Sequence, residues 1–122
     1  MGKKSVIYGE TAEALSCIYL KENGYEIIGR NWRCKYGELD IVAFQKLAHI
    51  VFFEVKYRKN LEYGIPVQSI SPRKILKLKK AMACFLLEND LCDLSWQLDG
   101  LSLYYRKGRL KLRHYSNLLA NC

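Results

Sequence analysis

Ala48-His49-Ile50-Val51-Phe52-Phe53-Glu54-Val55-Lys56-Tyr57 contains the most apolar run of the chain, and it ends on a carboxylate and an ammonium two residues apart. A run so rich in β-branched and aromatic residues reads as a strand. Side chains alternate along a strand, so Glu54 and Lys56 share one face and Val55 takes the other. The preceding run, Leu39-Asp40-Ile41-Val42-Ala43-Phe44, reads as a second strand and also carries a carboxylate. The link Gln45-Lys46-Leu47 is short enough for a hairpin, although it lacks the usual glycine. Pairing of the two strands would bring Asp40 and Glu54 within a few ångströms at one end of the sheet. Burying an ionised carboxylate without a partner costs several kcal/mol, so each needs a counter-charge, a metal or an exposed strand end. A divalent cation would satisfy both.

Working outward, Tyr8 to Asn23 has Thr11, Ala14, Leu15 and Ile18 at helical spacing, and Gly24 follows where a left-handed cap belongs, which predicts a first helix. Tyr25-Glu26-Ile27-Ile28 opens a strand running toward Arg33, and Lys35-Tyr36-Gly37 reads as a turn. Asn60 to Ser71, with Gly64 and Pro66, reads as a loop. Ser71-Pro72 then combines a capping hydroxyl with proline at the first helical position. The helix it starts places Ile75, Leu78, Met82, Phe85 and Leu86 on one face, with Arg73, Lys74, Lys77, Lys79 and Lys80 crowded into its first half. A strand around Trp96–Tyr105, a turn at Lys107-Gly108 and a last strand around Arg109–Tyr115 complete the order. Helix, three strands, helix, two strands is an α/β (α+β) arrangement with a mixed sheet whose first three strands form a meander.

The chain has 122 residues, which is the size of one domain, and half of them are apolar, enough for one core. No uncharged apolar stretch approaches the roughly 18 residues of a membrane span, and the start of the chain shows no secretory signal, so the expectation is a cytoplasmic protein. The five cysteines are odd in number and show no Cys-x-x-Cys spacing, which fits reduced thiols better than a disulfide or zinc framework. His49 and His114 have no ligand partner nearby in sequence. With 20 Lys and Arg against 12 Asp and Glu, the net charge is +8, which favours polyanions without choosing among them.

The choice comes from the two strands. Hard carboxylate oxygens at close spacing suit Mg²⁺ or Mn²⁺, which keep several waters and take only one or two protein carboxylates. Such an ion polarises a phosphoryl oxygen and lowers the pKa of a bound water, and a neighbouring lysine orients that water or stabilises negative charge. A Glu-x-Lys triplet alone arises by chance about 0.4 times in a chain of this length. It gains meaning from the apolar strand before it, Asp40 in the preceding strand and Glu10 in the first helix. The competing reading is a cross-strand salt bridge at the end of a sheet.

The whole order resembles the PD-(D/E)xK nuclease superfamily, and more closely the YraN-like uncharacterised protein family of bacteria (UPF0102), which is similar to Holliday-junction resolvases. The resemblance rests on Tyr8-Gly9-Glu10-Thr11-Ala12-Glu13, Gly24-Tyr25-Glu26-Ile27-Ile28, Arg30-Asn31-Trp32-Arg33, Gly37-Glu38-Leu39-Asp40-Ile41-Val42-Ala43, Val51-Phe52-Phe53-Glu54-Val55-Lys56-Tyr57-Arg58, Gly64, Pro66, Lys74 and Asp99. It implies Asp40 and Glu54 as metal ligands, Lys56 as the catalytic lysine and Glu10 as a helix-borne carboxylate closing the site. Leu39 replaces the proline of the superfamily's name and is expected to point away from the site. Gln97 stands where a basic residue before Asp99 would be expected, and Lys46-Leu47-Ala48 replaces a tight turn.

Glu10 also competes for a helix-capping role, because a carboxylate is favoured in a first turn. Glu13 and Glu38 read as solvated surface charges. Arg30, Trp32, Arg33, Lys35 and Tyr36 interleave cations with aromatics, as single-strand binding surfaces do and as ordinary strand ends also do. Arg33, Tyr57, Arg58, Lys74 and Lys77 are the candidates for holding nucleic-acid phosphates, with DNA favoured as partner and Lys59 and Lys80 beside them. The leading expectation is a Mg²⁺- or Mn²⁺-dependent nuclease acting on branched or flapped DNA, with no element for reading base sequence. Cutting a junction symmetrically would require two sites and hence a homodimer. The alternatives are a non-catalytic nucleic-acid-binding accessory protein that keeps the fold, and a partner-binding scaffold whose carboxylates make salt bridges.

Overall fold

A computed structural model describes residues 2–46, 48–58 and 70–120, with side chains of the first helix from Glu10 onward. The elements are α1 (Gly2–Glu22), β1 (Tyr25–Cys34), β2 (Gly37–Gln45), β3 (His49–Arg58), α2 (Pro72–Glu88), β4 (Ser95–Arg106) and β5 (Arg109–Tyr115). One five-stranded mixed sheet runs in chain order from β1 to β5. β1, β2 and β3 form an antiparallel meander, α2 carries the chain to β4 parallel to β3, and β5 returns antiparallel to β4. The expected fold class is therefore the observed one. The loop expected from Asn60, with Gly64 and Pro66, lies outside the described residues, as do Lys59 and Leu47.

Alternation along β3 divides the core. Ile50 and Phe52 pack with Val42, Leu98 and the inner face of α2, formed by Leu78, Met82 and Phe85. Val51 and Phe53 pack on the opposite face with Ile41, Ala43, Leu101, and Cys17 and Leu20 of α1. Each Phe is almost wholly buried, which contributes on the order of 2–3 kcal/mol per side chain. Leu39 joins the cluster beneath α2, so it serves the core rather than the site.

α2 matches its expected face, and the Ser71 hydroxyl accepts from the Lys74 N–H at 3.1 Å as the cap. α1 corrects the sequence reading. Thr11, Ala14 and Ile18 face solvent, while Ala12, Ser16, Cys17 and Leu20 are buried. Small residues let the helix sit close to the sheet, and Ser16 is compatible with burial because its hydroxyl donates to the Ala12 carbonyl at 2.7 Å. Gly29 lies at a bulge in β1, where an added Cβ would meet the Phe85 ring at 3.1 Å. Lys46 supplies the left-handed conformation (φ 59°) that a glycine would normally give the β2–β3 turn. Among the described residues no helix is long and apolar enough to cross a membrane.

Candidate active site

The β2–β3 register pairs Ile41 with Phe53, and one step further along it sets Asp40 opposite Glu54. The start of β2, the end of β3 and the first turn of α2 meet at this end of the sheet. Glu54 is only 4 % exposed, on the face that Ile50 and Phe52 present to α2. Its Oε1 lies 3.5 Å from Lys56 Nζ and 3.5 Å from Lys74 Nζ. Lys56 arrives by strand alternation, and Lys74 arrives from α2, so a single carboxylate oxygen is shared by two ammonium groups.

Asp40 is half-buried, and its Oδ2 accepts from the Val55 N–H at 2.8 Å. Burial and then the charge of Glu54 push its carboxyl up to about 7, against the opposing pull of that N–H. The charges of Glu13 and Glu38 add smaller pushes in the same direction. Of these four acids, Glu13 is paired with Arg30 at 2.9 Å, Glu38 with Arg33 at 3.2 Å, and Glu54 with its lysines. Among the described residues Asp40 has no cation within ion-pair distance. A buried acid facing a second carboxylate, with no cation of its own, holds a proton or takes a metal ion. No three His, Cys, Asp or Glu side chains gather into a closed metal cage among the described residues. Asp40 and Glu54 are the two carboxylates that this end of the sheet sets face to face.

The model of the uncharacterised protein family UPF0102 matches residues 12–104. A UPF0102 protein of Carboxydothermus hydrogenoformans is 35 % identical over 111 residues, covering 91 % of this chain and 93 % of the relative. The chain belongs to the UPF0102 family. A UPF0102 protein of Syntrophomonas wolfei is 38 % identical over 109 residues, covering 89 % and 94 %, and one of Neisseria meningitidis is 39 % identical over 93 residues, covering 76 % and 80 %. The family match spans Asp40, Glu54, Lys56, Lys74 and Asp99 and begins just after Glu10.

In this UPF0102 chain Glu54 faces Asp40 and meets both Lys56 and Lys74, although the place of Lys74 in a basic helix points only to phosphate binding. Glu10 is exposed on α1, one turn ahead of Glu13, and Glu13 is the helix carboxylate whose charge reaches Asp40. Glu13 is therefore no solvated surface charge. The interleaved β1 segment separates into different jobs. Trp32 packs edge-on against Phe85 in the core, Arg30 and Arg33 pair with acids, and Tyr36 carries Lys35 and Lys80 against its ring. Tyr57 meets the Tyr105 ring edge-on at 6.2 Å, Arg58 ends β3 half-buried, and Lys77 is exposed on α2.

The histidines, solitary in sequence, share a network on the α1 side of the sheet. Asp99 is 1 % exposed and contacts His114 Nε2 at 2.7 Å. It also accepts from Gln97 Nε2 at 2.7 Å and the Asn117 N–H at 2.8 Å. His114 Nδ1 meets the Tyr19 hydroxyl at 3.0 Å, and Gln97 Oε1 meets His49 Nε2 at 2.7 Å. Gln97 therefore has an internal role, in place of the substrate contact expected of a basic residue there. These partners lie up to 95 positions apart, so no local pattern shows them. Removing a buried, multiply bonded carboxylate strands its partners, and Asp99→Ala is expected to cost about 3 kcal/mol in urea denaturation. A change below about 0.5 kcal/mol, the size of an ordinary surface effect, would mean that the network does not hold β4, β5 and α1 together.

Proposed function

We propose that this chain is a divalent-metal-dependent nuclease that hydrolyses phosphodiester bonds in DNA. The observation that carries the reading is Asp40, with no cation at ion-pair distance among the described residues, set against a buried Glu54 that already holds Lys56. In a structural salt bridge every acid of the cluster would have its cation; among the described residues Asp40 has none.

Asp40 and Glu54 would hold Mg²⁺ or Mn²⁺, which supplies a Lewis acid toward the phosphoryl oxygen and a water of lowered pKa. Glu54 fixes Lys56 Nζ at 3.5 Å, beside where a phosphate would sit, and the ammonium orients the attacking water or stabilises charge developing on the phosphate. Lys74 reaches the same carboxylate from α2 and is free to turn to the substrate when Glu54 is engaged. Glu10, which the family resemblance puts in the site, is exposed and lies a turn beyond Glu13, so Glu10→Gln tests whether substrate draws it in. Arg33, Tyr57, Arg58 and Lys77 surround this end of the sheet as contacts for the flanking strand.

The direct test incubates the purified protein with duplex, single-stranded, flap and four-way-junction DNA in Mn²⁺ or EDTA. Cleavage in Mn²⁺ alone supports the reading. Binding without cleavage would instead favour the non-catalytic accessory role. Binding is expected to weaken steeply with salt, and the log–log slope to fall by roughly one for each of Arg58, Lys74 and Lys77 replaced by Ala. Affinity independent of salt would remove nucleic acid from the account.

A further inference from the structure

The sheet face that carries Glu54 and Lys56 continues across β4 and β5. Lys56 pairs with Ser102 and Ser102 with Arg113; Arg58 pairs with Tyr104 and Tyr104 with Lys111; Arg106 pairs with Arg109 near the hairpin turn. Directly paired residues point to the same side of a sheet, so Arg106, Arg109, Lys111 and Arg113 share the face of Glu54 and Lys56. Leu112, at an alternate position of β5, packs on the opposite face with the α1 cluster. β5 stands two strands from β3, about 10 Å at the usual strand spacing.

This hairpin is cationic without compensation. From Gly100 to Tyr115 the chain has five Lys and Arg and no Asp or Glu. Arg106, Arg109, Lys111 and Arg113 are exposed, and among the described residues none of them is ion-paired, whereas Arg30, Arg33, Lys56 and Lys74 each meet an acid. Like charges directly opposite each other destabilise a sheet, so Arg106 facing Arg109 works against the fold. The Arg113 guanidinium lies 6.0 Å from the Tyr104 ring centroid, a contact that holds it over the face.

We propose that the β4–β5 hairpin seats the phosphate backbone of a duplex arm adjoining the cleavage site. This rests on the nuclease reading for its position relative to the cut. Surfaces for single strands offer exposed rings on which bases stack. Here Tyr104 is buried, Tyr115 is half-buried, and the exposed Tyr105 takes the opposite face with its partner Leu110. Cations without exposed rings suit a backbone whose bases are turned inward. A lipid surface fits less well, because the exposed large apolar side chains among the described residues, Ile18, Leu76, Leu87, Trp96 and Tyr105, lie elsewhere and leave nothing here to insert below the headgroups.

β5 is an edge strand, and cations on an edge also keep it from pairing with another chain, a task that acids perform equally well. Charge reversal therefore separates the two roles. The test is fluorescence anisotropy in EDTA with a labelled short DNA duplex, comparing wild type, Lys111→Glu/Arg113→Glu, and Lys21→Glu/Lys79→Glu, which has the same net charge and leaves the hairpin intact. The hairpin variant is expected to bind the duplex roughly tenfold more weakly or worse, with the log–log salt slope reduced by about two, while the control stays within about threefold of wild type. Should the reversed hairpin not fold, Lys111→Gln/Arg113→Gln should reduce the slope likewise. Equal losses in the two charge-matched variants, or wild-type binding by a folded hairpin variant, overturn the proposal. So does a hairpin-dependent attachment to phosphatidylserine vesicles with duplex binding untouched, or an equal loss for single-stranded oligothymidine. Hairpin-dependent duplex binding with no Mn²⁺-dependent cleavage by the wild type upholds the surface and sinks the nuclease reading; cleavage with hairpin-independent binding does the reverse.

Discussion

Metal-free protein is expected to lose stability as pH rises from 4 to 8, and Asp40→Asn to remove that loss. Burial and the facing Glu54 hold the Asp40 carboxyl up to about 7 in the folded chain, whereas the unfolded chain releases the proton near its ordinary value of 3.8. Between these values the folded state binds the extra proton. The stabilisation is fully present below pH 4 and disappears as pH climbs through 7, for a total on the order of 2–4 kcal/mol. Other carboxylates titrate in the acid range, so the informative quantity is the difference between wild type and Asp40→Asn in urea denaturation with EDTA. The variant should gain on the wild type steadily up to pH 8. Saturating Mn²⁺ should rescue the wild type at pH 8 and not the variant, since a ligand stabilises only the chain that binds it. Parallel profiles for the two proteins would show that Asp40 is an ordinary, solvated acid.

The second large effect concerns Lys56. If its ammonium acts on the attacking water or on charge that develops in the transition state, Lys56→Met should slow single-turnover cleavage by about a hundredfold or more. DNA affinity should barely move, because one contact is a small part of the electrostatic total. Metal affinity should hold or rise, since Lys56 Nζ lies 3.5 Å from Glu54 and its loss removes a cation that competes for that carboxylate. Lys74→Met should share the gain in metal affinity, because Lys74 stands at the same distance from the same oxygen. A Lys56 variant that binds DNA several-fold more weakly and still cuts at the wild-type rate at saturation would reduce the residue to a phosphate clamp.

Much of this site was legible in the sequence because it is built from strand periodicity. Once Leu39–Phe44 and Ala48–Tyr57 are read as hairpin strands, Asp40 opposite Glu54 and Lys56 beside Glu54 follow from alternation. The rest depends on what faces what across the sheet. The basic first half of α2 shows that Lys74 lies on a charged flank; that the flank meets Glu54 is a tertiary fact. α1 is hard to read because its buried stripe is Ala12, Ser16, Cys17 and Leu20, mostly small or polar, while the conspicuous Ile18 is outside. Glu13 looked like surface charge for the same reason, since the face that buries it carries few large apolar residues. The alternation of cations and aromatics from Arg30 to Tyr36 fits a binding surface and an ordinary strand end equally; Trp32 packs against Phe85 in the core, and Tyr36 carries Lys35 and Lys80 against its ring.

The most direct measurement compares wild type, Asp40→Asn and Glu54→Gln, each shown by circular dichroism to be folded, for cleavage of a labelled flap DNA with Mn²⁺ and with EDTA. The expected result is cutting by the wild type in Mn²⁺ alone, and none by either variant although both still bind the DNA. Equal cutting by all three proteins, or a wild type that neither cuts nor gains stability in Mn²⁺, would contradict a metal-dependent nuclease centred on Asp40 and Glu54.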